Sequence, residues 1–317
     1  MDRRGPALSS DARAFGLRRQ VVPTPLGRIV VRSRVDSGEV ATILLHGAAG
    51  SWTTWTPLLR AARDSGAPLR DVIAIDLPGW GDSTASASRL DIAQTSATVA
   101  AVAHALGYSR WVAVGHSLGG FLALDIAARY ATHTAALLLV SPSGPAVIDA
   151  VRHPVRALRT LPGFVGMLLA MRALAALGAA GRGFVRGLHR AGILRPLSAP
   201  LFADPARVHH SVIDALSHEI RPRAFVEAAR AAAAYDVSIW RDIVCPVRSV
   251  RGERDVFVAD SDETDLAALV EDFEQVTVRG AGHFAAVERP DAVLQSFRRL
   301  APAAPVEGDS GMPSRLH

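Results

Sequence analysis

Short apolar runs that stop abruptly at glycine-rich or polar turns set the tightest limit on how this chain folds. Val40 to Leu45 ends at His46-Gly47-Ala48-Ala49-Gly50, and Val72 to Ile75 ends at Asp76-Leu77-Pro78-Gly79-Trp80-Gly81. Trp111 to Val114 ends at Gly115-His116-Ser117-Leu118-Gly119-Gly120, and Ala136 to Val140 follows. Each run is apolar at consecutive positions rather than alternating, so each reads as a strand buried on both faces. Helical stretches lie between them, over about 53–63, 91–106 and 118–130, with Gly107 as a C-terminal cap. After a long interruption the alternation resumes with a strand at Val247 to Val250, a helix over 261–270, a strand at Phe273 to Val278 and a helix over 290–300. Val21-Val22 and Ile29 to Val31 flank Pro25-Leu26-Gly27-Arg28, which predicts a hairpin ahead of the series. An α/β class follows, with a mostly parallel sheet covered by helices on both faces.

The interruption, residues 142–240, holds apolar helices separated by Gly and Pro and no convincing strand. It reads as a helical insertion in a body made of residues 20–141 and 241–300, with 1–19 and 301–317 expected to be flexible termini. Val151, Val155 and Leu158 fall on one helical face and Arg152, Arg156 and Arg159 on another, while Arg182, Arg186 and Arg190 recur at four-residue spacing. All 35 basic residues are Arg, and 12 of them lie in 142–240 against 6 acids, so the surplus charge is concentrated there. Leu161 to Gly181 approaches the ~20 apolar residues of a membrane span. Pro162, Gly163, Gly166 and a central Arg172 argue against one.

Several function classes drop out on composition. With 49% hydrophobic and 21% charged residues the 317-residue chain can build a full core, which excludes disorder for its bulk. Aromatics at 6% leave the basic residues without stacking partners, so no nucleic acid is expected. The lone Cys245 cannot form an internal disulfide and, ahead of Pro246, reads as a small buried hydrophobe. His209, His210 and His218 lack a carboxylate at ligand spacing, so no metal is expected. No apolar segment follows Met-Asp-Arg-Arg-Gly-Pro, which leaves a cytoplasmic protein as the expectation.

Gly115-His116-Ser117-Leu118-Gly119 matches G-x-S-x-G at a strand-to-helix junction. A sharp turn there lifts a serine oxygen above the sheet, and it places the Leu118 N–H at a helix N-terminus that favours negative charge. A serine nucleophile needs a base and an orienting acid. His283, in Gly-Ala-Gly-His-Phe, and Asp255, in Gly-Glu-Arg-Asp, each follow a late strand, on the rim where Ser117 sits. Glu253 and Asp260 are the other nearby acids. The loop after the first buried strand can supply a second oxyanion donor from the Ala48 N–H, with His46 anchoring that loop. Trp52, His116 and Arg172 are candidate substrate contacts, with core packing an equal reading for Trp52.

Strand-HGxxG, DLPGWGDS, GHSLGG, GERD and GAGHF-x-x-x-E-x-P together resemble the α/β-hydrolase superfamily over about residues 20–300. The resemblance implies an eight-stranded, mostly parallel sheet, a helical lid in the position of the insertion, and a triad of Ser117, Asp255 and His283. It also implies structural roles for Asp76 and Asp82. Serine rather than aspartate at the nucleophile position disfavours the family's epoxide and haloalkane chemistry, and His116 before it favours an esterase or lipase over a carbon–carbon hydrolase. The expected activity is cofactor-independent hydrolysis of a small-molecule ester with a lipophilic acyl group. A carbon–carbon hydrolase and a non-catalytic binding protein are the alternatives. The basic lid is a candidate contact for an anionic membrane.

Overall fold

The consecutive apolar runs occupy the middle of a sheet, where both faces are covered. The computed structural model describes residues 5–84 and 91–300. Its strands are β1 (Arg18–Thr24), β2 (Gly27–Ser33), β3 (Val40–Leu45), β4 (Val72–Ile75), β5 (Arg110–His116), β6 (Thr134–Val140), β7 (Val247–Gly252) and β8 (Phe273–Val278). They form one eight-stranded sheet in the order β1-β2-β4-β3-β5-β6-β7-β8. The β1–β2 and β2–β4 pairs are antiparallel and all later pairs are parallel. Pro23 is tolerated in β1 because that strand is an edge.

Alternate side chains of each central strand point to opposite faces. Ile43, Leu45, Ala113, Leu137 and Leu139 enter one core with α2 (Ile92–Ala105) and α3 (Leu118–Arg129). Leu44, Val114, Leu138 and Val140 enter the other with α1 (Thr56–Asp64), and Val293 and Leu294 join them there from the C-terminal end of the body. The N-terminal segment departs from expectation. Residues 5–19 are not loose: Phe15 and Leu17 are buried, and the Leu8 N–H donates to Ser211 Oγ at 2.9 Å. Two isolated apolar residues and a few hydrogen bonds dock this segment, and two residues are too short a pattern to register as periodicity. Residues 1–4 and 301–317 lie outside the described residues.

Between β6 and β7 run α4 (Pro145–Arg152), α5 (Pro154–Ala157), α6 (Pro162–Ala176), α7 (Ala179–Arg190), α8 (Leu194–Leu197), α9 (His210–Glu219) and α10 (Pro222–Ala233). After β7 come α11 (Ser261–Ala267), α12 (Ala285–Glu288) and α13 (Pro290–Leu300). Val147 of α4, Phe164 and Leu168 of α6 and Phe225 of α10 share a core with Phe257 of the body. Val185, Phe202, Val212 and Leu216 share another with Phe284. The apolar stretch from Leu161 to Gly181 is split between α6 and α7 by a turn at Gly178, whose φ of 59° suits glycine. Among the described residues no helix is long and apolar enough to cross a membrane.

Asp262 of α11 joins the body to the start of the insertion. Its Oδ1 accepts the Ala146 N–H at 2.8 Å, while Oδ2 is buried without a hydrogen-bond partner among the described residues. Burial pushes its pKa up to about 6, with Asp265 adding to the rise and Arg251 opposing it. The folded state therefore favours the neutral acid, and stability falls as pH rises from the ordinary carboxyl range through that value. Asp262→Asn keeps an acceptor for Ala146 and removes the charge. We expect it to stabilise the protein by about 1–2 kcal/mol near neutral pH and by nothing near about pH 4, read from urea unfolding at both values.

Candidate active site

Ser117 connects β5 to α3 at φ 52° and ψ −116°, a conformation that costs a non-glycine residue ~1–3 kcal/mol. The surroundings fix it there. Its N–H donates to Val140 O at 3.1 Å, and its carbonyl accepts from Gly120, Phe121 and Ser143 N–H at 2.9–3.1 Å. The turn also needs bare backbone on both sides. A Cβ on Gly115 would strike the Gly119 carbonyl, and one on Gly119 would strike the carbonyl of Leu45 in the neighbouring strand. The spacing of this Gly-x-Ser-x-Gly unit is thus a packing requirement between β5, α3 and β3.

The loop after β3 is held from the far side of the site. His46 is buried, its Nε2 accepts the Leu77 N–H at 3.0 Å, and Nδ1 therefore carries the proton and donates to Gly47 O at 2.7 Å. Burial pushes the His46 pKa down, so the ring is a neutral brace. Trp80 Nε1 donates to Ala48 O at 2.8 Å, and Asp76 accepts from Trp52 N–H and Asp82 N–H at 3.0 Å each. Arg32 Nη1 contacts Asp76 at 3.2 Å while Nη2 reaches Asp82 at 2.6 Å, so both aspartates serve the loops rather than the cavity. Ala48 and Leu118 line the same cavity as Ser117. The Leu118 N–H is the first of α3, among the donors a helix leaves without an internal partner.

His283 and Asp255 meet at the end of β7 and β8. His283 Nδ1 lies 3.0 and 3.1 Å from the two Asp255 oxygens, and both side chains are buried. Burial alone would raise the Asp255 pKa, but the His283 ring and the Phe257 N–H, which Asp255 accepts at 2.8 Å, outweigh it and hold the carboxyl below its usual range. With Nδ1 engaged, Nε2 is the ring nitrogen left to face the cavity that His283 and Ser117 line together. This cavity is narrow and runs between α3, α4, α6 and α10. Phe121, Val147, Phe164, Met167 and Phe225 dominate its wall, and Ser117, Ser143 and His283 are the polar residues on it. No group of His, Cys, Asp and Glu suited to a metal occurs among the described residues.

The structure moves three expected substrate contacts elsewhere. Trp52 is buried in the body core with the Arg32 guanidinium 5.2 Å over its ring and does not line the cavity. His116 points away from it, as the strand neighbour of Ser117 must, and Nε2 donates to the His283 carbonyl at 2.9 Å. Burial drives its pKa down to about 3, so it stays neutral. Arg172 is exposed on α6, beyond the turns that carry Phe164 and Met167 to the cavity. Glu288 had no assigned role, although the Gly-Ala-Gly-His-Phe-x-x-x-Glu-x-Pro motif contained it. Its Oε2 accepts the Gly282 N–H at 2.7 Å and its Oε1 the Ala203 N–H at 2.8 Å, which straps the insertion to the histidine loop.

Gly119→Ala should cost about 3 kcal/mol or more in urea unfolding, because the obstacle is backbone. Gly187→Ala is the control: it sits inside α7 with open space at its Cβ and should stabilise by about 0.5–1 kcal/mol.

Comparisons with known proteins agree with this fold. A profile described as the alpha/beta hydrolase family matches residues 42–296. The dihydrolipoyllysine-residue acetyltransferase component of the acetoin cleaving system from Pseudomonas putida is 29% identical over 180 residues, 56% of this chain and 39% of that protein. Epoxide hydrolase 4 of Mus musculus is 31% identical over 131 residues, 39% of this chain and 35% of that one. The chain thus spans under two fifths of the length of each of these two relatives. The structure of a thermophilic esterase from Thermogutta terrifontis superposes with a TM-score of 0.66 at 21% identity, covering 89% of this chain and 97% of its own. The family profile covers most of the sequence and the fold agrees with it: this chain belongs to the alpha/beta hydrolase family.

Proposed function

We propose that the protein hydrolyses carboxylic esters with a lipophilic acyl group, using Ser117, His283 and Asp255. The observation that carries this reading is that a strained serine and an aspartate-braced histidine open on one apolar cavity. His283 Nε2 takes the Ser117 proton as Oγ attacks the ester carbonyl, and Asp255 steadies the imidazolium through Nδ1. The Ala48 and Leu118 amides receive the developing oxyanion, each worth ~3 kcal/mol of barrier. His283 then returns the proton to the departing alcohol. Water activated by the same nitrogen releases the acid from the acyl-serine. In this reading residues 142–240 form the cap, and the acyl chain lies between α4, α6 and α10. A single cysteine with no disulfide to form fits a reducing, cytoplasmic setting.

The wall of the cavity weighs against the rival chemistries. A carbon–carbon hydrolase acting on an acidic diketone needs a cation for the substrate carboxylate, and no arginine lines this cavity among the described residues. The likeness to an epoxide hydrolase comes with serine, not aspartate, at the nucleophile position.

Ser117→Ala should lower hydrolysis of p-nitrophenyl esters by roughly 10⁴-fold while leaving the fold intact. Activity should rise with acyl length until the cavity is full. Failure of a fluorophosphonate to label Ser117 in folded protein overturns the reading in favour of a binding role. His116→Phe should lower kcat by about tenfold with KM unchanged, because it releases the His283 carbonyl without touching the cavity.

A further inference from the structure

We infer that the outer surface of the inserted helices docks onto an anionic lipid bilayer. The first observation is where apolar side chains are exposed. Among the described residues, seven of the eleven exposed large hydrophobics fall between Val155 and Leu197, including Val155 at 82%, Leu197 at 60%, Leu177 at 57% and Phe184 at 56%. Such side chains scattered singly are ordinary on a protein surface, but concentration in one short segment is not.

The charge around them is the second observation. Between Ala150 and Ala203 the sequence has eight arginines and no acidic residue. Among the described residues none of these arginines has a carboxylate within ion-pair distance. Arginines of the body behave differently: Arg32, Arg129, Arg248 and Arg251 are each paired with an aspartate. The nearby Asp214 is engaged by His189 at 3.0 Å, and Glu227 by Arg230 at 2.7 Å. Arg182 faces an open groove with Arg221 and Arg223, so the positive surface extends onto the start of α10.

The occupant follows from these two features together. The guanidiniums are of one sign, spread over several helices and, among the described residues, without a carboxylate partner. Arg152, Arg186 and Arg195 reach backbone carbonyls, which leaves their charge uncompensated and suits an array of phosphates. The apolar tips are interspersed with the arginines along the same helices, with Val155 beside Arg156 and Phe184 between Arg182 and Arg186, which suits acyl chains between anionic headgroups. Inner faces of α4, α6 and α10 form the apolar cavity wall, so a bilayer at the outer face would lie within one helical layer of the site.

Co-sedimentation with phosphatidylcholine vesicles, with and without phosphatidylglycerol, tests this directly. The intact chain should bind the anionic vesicles, release at high salt, and leave pure phosphatidylcholine largely free. Arg182→Glu with Arg186→Glu should weaken partition by about tenfold or more, and Leu177→Ser with Phe184→Ser should weaken it with the unfolding transition unchanged. Ser117→Ala protein should bind like wild type, which separates this outcome from the fate of the ester-hydrolase reading. Equal binding to both vesicle types, or undiminished binding by both paired variants, overturns the proposal. So does a stable dimer in vesicle-free buffer that Leu177→Ser with Phe184→Ser dissociates, since the face then belongs to a second copy.

Discussion

The close approach of α3 to β3 and β5 is the constraint on which the site depends. Gly119 lies against the Leu45 carbonyl and Gly115 against the Gly119 carbonyl, so the helix starts almost on the sheet. Only from that position can Ser117 be held at a positive φ, with its own carbonyl gathering three N–H donors. The strain is local and modest, while the contacts that impose it belong to buried central strands. Packing of the core therefore sets the direction of one hydroxyl.

Two further loops are set by buried histidines that carry no charge. His46 fixes the loop bearing Ala48 by accepting from Leu77 and donating to Gly47. His116 fixes the loop bearing His283 by donating to its carbonyl. A protonated ring in either place would be a buried, unpaired cation, and burial lowers both pKa values accordingly. Three histidines of similar burial thus have different roles, and their partners separate them. Only His283 has a carboxylate at one ring nitrogen and a cavity at the other.

Much of this was readable from residue order. Buried strands stopping at glycine-rich turns gave the sheet, and positions just past strand ends pointed to Ser117, Asp255 and His283. Side-chain direction was harder to read. His116 neighbours Ser117 in sequence, yet the two-residue period of the strand turns it to the opposite side, toward Phe284. Arg172 and Trp52 failed as contacts for a related reason: helical pattern gives the buried face of a segment but not its register against the body. The cavity wall draws Phe121, Phe225 and Phe257 from three distant elements, and no local pattern joins them. Phe15 and Leu17 are too few to announce that the N-terminal segment packs.

The insertion is not a flap joined only at its ends. The His283 N–H donates to Leu201 O at 2.9 Å, and Arg254 Nη1 donates to Ala203 O at 3.1 Å. Glu288 accepts from Ala203 and Asp204 N–H at 2.8 and 3.3 Å while holding Gly282 with its other oxygen. Each such bond contributes about 0.5–1.5 kcal/mol net, and bonds to a charged group contribute more. Lifting this end of the insertion would break four of them and remove the acceptor of the histidine's own backbone. The contact where Phe164 of α6 meets Phe225 of α10 is between apolar side chains that can slide without leaving a polar group unpaired, whereas α4 is tied through Ala146 to Asp262 and through Arg152 to the Ala233 and Tyr235 carbonyls. Residues 201–204 are therefore coupled to the His283 loop, and the contacts that can shift at least polar cost are those between α6 and α10.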